Sequence, residues 1–454
     1  MPSLDALSET LAPLLGDYLA RQRWYAGHEP PVAVVLTPVE VQDGDPVLAW
    51  FLAEVTQPGG EQATYQVVLG GRPTPSDAEF LQGKARVTVG EVEGRVFYDA
   101  LIDPELALVV LGRVAPDESA EVARPLLVEQ SNTSVVYDER LILKLFRRVH
   151  AEPNPDVEIS RVLGAIDFPH VVPQLAELRY GDVDLAVVRQ YLLGSTDAWQ
   201  LAHTSLRDLL GTRMPPAEAG ADFGPEAFTL GEVTGRLHVA LAEAFGTEPA
   251  KPGAWLEGFR AQLARLPEGE VELGGEPVKV SSLVDVPAVE AALGRVTVVD
   301  DPGLALRIHG DLHLGQFLLG DTGWYVLDFE GEPVRPVAER TTASSPLRDL
   351  AGMVRSFHYA TRTALNERGR DLDPELVDLA DEWGNRALEA FMAGYTHVEG
   401  VRALVPGSEA DFDTVLWAFT LDKAVYEVGY ELAHRPDWVD IPASAVRNLL
   451  SVAG

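Results

Sequence analysis

The stretch LRIHGDLHLGQFLLGDTGWYVLDFEGEP, residues 306–333, decides how this chain reads. The apolar run LALRI leads into Asp311, and WYVLDFE carries Asp328 near its far end. Two short strands thus deliver polar side chains to the ends of one small β island, 304–330. Asp311 follows His309 by two positions, Gln316 follows Asp311 by five, and Asp328 stands twelve further on. Around this island, apolar spacing from about residue 200 onward is mostly helical, broken by Pro/Gly-rich loops near 214–225 and 265–280.

Toward the N-terminus the pattern changes. Residues 4–20 set Leu4, Leu7, Leu11, Leu15 and Leu19 near one helical face. From about 31 to 112, alternating or Val-rich runs separated by Gly, Pro and Asp have the look of an antiparallel sheet. The stretch RPLLVEQSNTSVVYDERLILKLFRRV, 124–149, reads as a meander with a turn at Asp138-Glu139. Asn154-Pro155 starts a helix, with Asn as the cap and Pro at the first helical position, and strands follow at 171–180 and 185–192. The expected division is a cap over 1–90, a β-rich lobe over 91–200 and a helical lobe over 201–454. At 454 residues the chain allows two to four packed units, at roughly 100–200 residues each.

Composition narrows the class. With 46% apolar and 23% charged residues the chain has the make-up of a folded globular protein. Thirty-six basic against 70 acidic side chains leave a net charge of −34, which repels polyanions and argues against nucleic acid or an anionic membrane as partner. Cysteine is absent, which removes disulfides and thiolate sites and fits a reducing cytoplasm. The first twenty residues hold Asp5, Glu9 and Asp17 and do not read as a secretory signal, and no apolar run is long enough to span a bilayer.

The island's spacing is close to that of protein kinases, where H-x-D-x-x-x-x-N followed by D-F-G supplies a base and two metal ligands. A transferring phosphoryl group needs hard oxygen ligands held around it. Asp311 is the candidate base for an acceptor hydroxyl. Gln316 offers an amide oxygen to Mg²⁺, Asp328 bridges the metals, and Glu330, two residues on, faces the same side of an extended chain. His309 reads as a brace for the loop.

The β-rich half should supply the nucleotide contacts. Lys144 lies inside the apolar strand LILKLF, where an unpaired ammonium is costly, and Glu158 on the next helix can reach back to it. The alternative is Lys144 on a solvent-facing edge, with Glu158 paired to Arg161. The polar hairpin 130–134 stands where a phosphate-covering loop belongs: Ser131, Thr133 and Ser134 can cradle phosphate oxygens or simply make a turn. Gln190 and Tyr191 are the candidates for the segment that holds adenine, with core packing as the alternative.

Several stretches resemble the actinobacterial maltokinases: RQRWYAG (21–27), EQSNTSVVYDERLILKLFRRV (129–149), NPDVEISRVL (154–163), HGDLHLGQ (309–316), LDFEGEP (327–333), SPLRDLAGMVRSF (345–357), LDKAVYEVGYE (421–431) and RPDWVDIP (435–442). HGDLHLGQ and DFE are shared with the wider aminoglycoside-phosphotransferase-like group. The resemblance implies an α+β, bilobal, eukaryotic-like kinase fold with an extra N-terminal cap and a mostly helical C-lobe, using ATP and Mg²⁺. It further implies phosphorylation of maltose at the anomeric hydroxyl, in trehalose-to-glycogen metabolism, with a trehalose synthase as partner. Thr420 stands where the family commonly has a glutamate, a departure that falls on the sugar subsite. Arg23 and Trp24 belong to the cap signature, and a structural role is expected of them.

Sugar recognition pairs carboxylates with flat aromatic faces. On the helix 416–434, Tyr426 and Tyr430 are one turn apart with Asp422, Glu427 and Glu431 nearby; the alternative is core packing, with Lys423 and Glu427 as a surface pair. His313, Asp349 and Arg355 are further candidates, although Asp349 with Arg348 could be an exposed pair. Two other functions compete: a kinase for another sugar such as glucosamine, and a nucleotide-binding pseudokinase scaffold. Against the second, Lys144, Glu158, Asp311 and Asp328 are all retained.

Overall fold

A computed structural model describes residues 4–27, 29–74, 79–126, 131–333, 335–369 and 373–453. The chain forms two compact units, 1–165 with 172–194, and 166–171 with 195–454.

The first unit is built on the strand Val47–Thr56, whose residues 47–53 are all buried because the sheet is covered on both faces. Period-two alternation sends Ala49, Phe51 and Ala53 to one face, where Leu7, Leu11, Leu15 and Leu19 of the helix Leu4–Ala20 pack. Leu48, Trp50 and Leu52 go to the other face, against Leu106, Val110 and Leu111 of the helix Pro104–Val114. Each buried Leu, Val or Phe among them contributes about 1.5–3 kcal/mol by leaving water. The side chain of Leu4 lies outside the described residues.

The sheet runs in the order Ala33–Gln42, Val47–Thr56, Gln62–Pro73, Arg95–Asp99, Thr88–Val92, with Arg148–Val149 pairing on Gln62–Pro73. It therefore continues past residue 90 to Asp99. It does not reach 112 as expected: Asp103 accepts from Glu105 N at 3.0 Å and Pro104 follows, so a helix starts there instead. The second sheet is antiparallel in the order Gln174–Tyr180, Val183–Gln190, Leu141–Leu145, Thr133–Tyr137, Ala123–Leu126, and the helix Pro155–Ala165 follows the meander.

A buried polar knot joins the two sheets. The Gln66 amide donates to Phe146 O at 2.7 Å and Leu185 O at 2.8 Å, and accepts from Trp50 Nε1 at 2.7 Å. Arg147, fully buried, pairs with Asp99 at 2.5 Å, donates to Thr133 Oγ1 at 2.7 Å, and lies 4.9 Å above the Trp24 ring. Asp99 also accepts from Tyr18 OH at 2.9 Å. Trp24 is thus the floor under a buried guanidinium, a structural role of the kind its signature suggested.

The second unit is mainly helical. Its longest helices are Gly224–Phe245, Leu347–Asn366, Pro374–His397 and Glu409–His434. The island is the hairpin Phe317–Gly320 with Gly323–Val326, extended by Thr196–Asp197, while Leu304–Leu306 pairs with Thr247–Pro249. The expected 265–280 loop contains a second hairpin, Glu270–Leu273 with Glu276–Lys279. Among the described residues no helix is long and apolar enough to cross a membrane.

Candidate active site

The loop carrying Asp311 is held from below by a single carboxylate. Asp349, on the helix Leu347–Asn366, accepts from His309 N and Gly310 N, each at 2.8 Å, and from His238 Nε2 at 3.0 Å. Tyr395 OH lies 3.0 Å from His238 Nδ1, so the network puts the His238 proton on Nε2. Burial opposes the charge on Asp349, but His238 first, then His309 and the Gly310 backbone N–H, outweigh it and hold the carboxyl below its usual range. His309 Nε2 is 2.9 Å from Leu327 O, and its Nδ1 accepts from Asp311 N at 3.3 Å, which ties the loop to the hairpin as a brace should. Gly310 has φ +83°, which lets the chain turn between His309 and Asp311. Gly352 brings the helix against the loop: a Cβ there would stand 2.3 Å from Leu312 O.

Asp311 meets a buried chain of charges. Lys423 Nζ lies 2.9 Å from Asp311 Oδ1 and 2.7 Å from Glu332 Oε1. Glu332 in turn pairs with Arg335 at 2.5 Å and Arg348 at 2.9 Å, and Arg335 reaches Asp422 at 3.3 Å. Burial alone would raise the Asp311 carboxyl; Lys423 first, then His313, outweigh it and hold Asp311 below the usual carboxylate range. Burial opposes the charge on Lys423 too, yet Asp311 and Glu332 push it well above the ordinary lysine value. Asp311 is therefore an ionised carboxylate at neutral pH, poised to accept a hydrogen bond or a proton.

A cavity of about 600 Å³ opens beside this pair, within the usual range of roughly 300–1,000 Å³ for small-molecule sites. Asp311, His313 and Lys423 line it, as do Tyr426, Glu427 and Tyr430. The two tyrosine rings stack at 6.3 Å and 22°, and Lys423 Nζ is 4.7 Å from the Tyr426 ring centre. Arg355 clamps Glu427 through Nε at 2.8 Å and a second nitrogen at 2.7 Å. Burial, the largest influence, raises the Glu427 carboxyl in spite of Arg355.

Three expected substrate contacts are displaced. Asp349 is spent on the loop backbone and does not line the cavity. Arg355 is buried, paired with Glu427, and does not line the cavity. Asp422 faces a separate cavity of about 290 Å³ that it shares with Arg335. The surface pair Lys423 with Glu427 does not form, because each finds a buried partner elsewhere.

The candidate metal ligands lie at the hairpin's exit. Asp328 has φ +61°, turning the chain out of the strand, and Asp328 and Glu330 offer carboxylate oxygens within 4.8 Å of one another. Leu327 N donates to Gln316 O at 2.9 Å, joining the two segments, and the Gln316 amide lies 3.3 Å from His313 Nε2. Hard oxygen donors of this kind fit Mg²⁺.

In the β-rich unit, Lys144 occupies an inner strand, opposite Ser134 on one side and Val187 on the other, with its side chain 14% exposed. Its ammonium lies 3.2 Å from Asp156, a fully buried carboxylate that also pairs with Arg189 at 3.0 Å. Asp156 is thus a lysine partner that sequence reasoning missed; Glu158 is half-buried on the same first helical turn. The phosphate-loop candidates separate. Thr133 is committed to Arg147, and Ser134 is buried within its strand, so neither hydroxyl stands open as expected. Ser131 is exposed and accepts from Asn132 Nδ2 at 3.4 Å; Gln130 lies outside the described residues. Gln190 is exposed and pairs with Leu141, and Tyr191 N donates to Arg140 O at 2.8 Å.

Residues 18–103 match the family model of the maltokinase N-terminal cap domain. The chain is 29% identical over 339 residues to a glucosamine kinase of Streptacidiphilus jiangxiensis, covering 72% of this chain and 73% of that one. A glucosamine kinase of Mycolicibacterium smegmatis (strain ATCC 700084 / mc(2)155) is 26% identical over 341 residues, covering 73% and 81%. A solved glucosamine kinase in complex with glucosamine, ADP and inorganic phosphate superposes with TM-score 0.64 at 23% identity, covering 99% of each chain. These likenesses establish a kinase-like fold with a maltokinase-type cap, and the similar glucosamine kinases support a sugar phosphotransferase.

Proposed function

We propose that the protein transfers the γ-phosphoryl group of ATP to the anomeric hydroxyl of maltose, giving maltose 1-phosphate and ADP. The observation that carries this reading is the ionised Asp311, clamped by Lys423, at one end of a cavity lined by stacked tyrosines. The maltokinase-type cap supports maltose as the acceptor.

In this reading the units divide the work. The cap, 1–90, stabilises the β-rich segment, 91–200; there Lys144 and the exposed Ser131 meet nucleotide phosphates, Glu158 supports Lys144, and Gln190 and Tyr191 lie along the adenine segment. The helical segment, 201–454, holds the sugar. Asp311 accepts a hydrogen bond from the anomeric hydroxyl and takes its proton as the oxygen attacks phosphorus in line. Tyr426 and Tyr430 pack on the sugar's C–H faces, while His313 and Glu427 meet hydroxyls. Gln316, Asp328 and Glu330 would hold Mg²⁺, which would supply positive charge to the phosphates. Most of the catalysis comes from position and charge. The setting is cytoplasmic, and a trehalose synthase is the maltose-supplying partner this reading names.

A second reading, phosphorylation of glucosamine, is favoured by the names of the similar chains. One assay separates the two: ADP release with maltose, glucose, glucosamine and trehalose as acceptors, with and without Mg²⁺. Maltose should give the highest kcat/KM; a clear preference for glucosamine would overturn the first reading in favour of the second.

A further inference from the structure

The chain of charges that begins at Asp311 ends in the second cavity. Lys423 and Glu332 lead to Arg335 and Arg348, and both arginines line this space of about 290 Å³, close to the lower end of the roughly 300–1,000 Å³ usual for small-molecule sites. It shares no lining residue with the cavity beside Asp311.

Three groups on its wall have hydrogen-bond donors to spare. Arg348 gives one guanidinium nitrogen to Glu332 at 2.9 Å, and its other two nitrogens make no hydrogen bond among the described residues. Arg335 gives Nε to Glu332 and Nη2 to Asp422, which leaves Nη1, 3.7 Å from Glu339 and too far for a hydrogen bond. Ser344 is 9% exposed, and its hydroxyl has no hydrogen-bond partner among the described residues either. None of these donor atoms is closed to solvent. The apolar part of the wall is aromatic: Trp255 and Phe259 each meet Phe419 edge to face, with ring centres 5.2 and 5.4 Å away.

Two guanidinium groups and a hydroxyl suit the several oxygens of a phosphate, and aromatic rings suit the C–H surface of the group it is attached to. Two acids oppose an anion there. Glu339 is 46% exposed and can turn to solvent. The Asp422 carboxyl is raised by burial in spite of Arg335 and Arg348, which lowers the cost of protonating it beside an anion.

We infer that this cavity is a second ligand site, for a small phosphate monoester, and that its occupation slows the reaction at Asp311. The link is Glu332, which takes Arg335 and Arg348 on one side and Lys423 on the other. A bound phosphate draws on the two guanidinium groups, so Glu332 is less neutralised and pulls harder on Lys423. Lys423 is thereby drawn from Asp311. The link rests on Asp311 as the base, whichever sugar is phosphorylated; the site itself does not.

The test uses the full-length protein, with glucose 6-phosphate and inorganic phosphate as probes. Calorimetric titration at saturating ADP and Mg²⁺ should show glucose 6-phosphate binding more tightly than inorganic phosphate; equal binding would remove the aromatic wall from the site and with it the monoester. Ser344→Ala should weaken glucose 6-phosphate about tenfold, as for one hydrogen bond to a charged group. Gly258→Met should abolish binding by filling the cavity: Gly258 lines it, and a Cβ there meets nothing within 4 Å, so the side chain has room without disturbing the fold. In the wild type, glucose 6-phosphate should lower kcat about fivefold at saturating ATP and acceptor sugar, at the low end of common coupling strengths. Both variants should keep the wild-type rate without the probe and resist the inhibition. Absence of binding to the wild type overturns the site, as do binding and inhibition unchanged in both variants, the result of a probe held only beside Asp311. Binding that leaves kcat untouched overturns the link alone. The calorimetric results stand whether or not Asp311 is the base, so the site and that reading fail separately.

Discussion

Each unit contains a buried polar knot, and the two end differently. In the β-rich unit Arg147 turns inward to Asp99 and Thr133 over the Trp24 ring, and Tyr18 completes Asp99. In the helical unit the chain Arg335, Glu332, Lys423 leads to Asp311, whose carboxylate lies on a cavity wall. Removing one partner of a buried ion pair costs about 3–5 kcal/mol, whatever the pair adds in net stability. Both knots therefore fix geometry. Only the second also delivers a charge to a place where a substrate can touch it.

Substitutions can break or sharpen that contrast. The largest effect on turnover belongs to Asp311→Asn, which should lower it by about 10²–10⁴-fold; because Lys423 keeps Glu332, the melting temperature should fall less than in Lys423→Met, and near-normal turnover would remove the distinction between the knots. Lys423→Met should come next, affecting both properties. It should lower unfolding free energy by about 3–5 kcal/mol in urea titrations. It should also move the acid limb of kcat/KM upward, because burial, no longer opposed by the ammonium, raises the Asp311 carboxyl. In the wild type, a carboxyl held below its unfolded value contributes stability at neutral pH that is lost as pH falls through the folded value. The stability gap between wild type and Lys423→Met should accordingly narrow in acid; a gap independent of pH would count against this pairing.

Arg147→Met should lose a similar 3–5 kcal/mol but keep its kcat per folded molecule, a split measured by titrating active sites alongside denaturation. A fall in kcat at full folding would mean that this knot also serves the chemistry. Smallest is Tyr430→Ala, for which the KM of the sugar acceptor should rise roughly three- to tenfold with kcat almost unchanged, as expected for the loss of one stacking surface.

Much of this was legible in the sequence where the signal is local. The spacing of His309, Asp311, Gln316 and Asp328 falls within one short stretch flanking a single hairpin, and period-three-to-four leucines marked the first helix. The partners of Lys423 were not legible. On a helix its natural reading is a pair with Glu427, four positions on, whereas its real partners, Asp311 and Glu332, come from a distant loop. Asp349 shows the same limit: its spacing permits an exposed pair with Arg348, and nothing local announces that two backbone amides of the catalytic loop end on it. Asp156 was passed over for Glu158 because both fit the first turn of one helix, and only the fold shows Asp156 buried against Lys144 and Arg189. Trp24 gained meaning only through Arg147, which lies far along the chain.

The helix Glu409–His434 carries Lys423, which grips Asp311, and, one and two turns later, the tyrosines that line the cavity. In the proposed reading, reactivity and choice of sugar are therefore mounted on the same rod. A slip or rotation of that rod would disturb both together, so a change of preferred sugar that spares the rate is expected through individual side chains on its exposed rim rather than through repositioning of the helix.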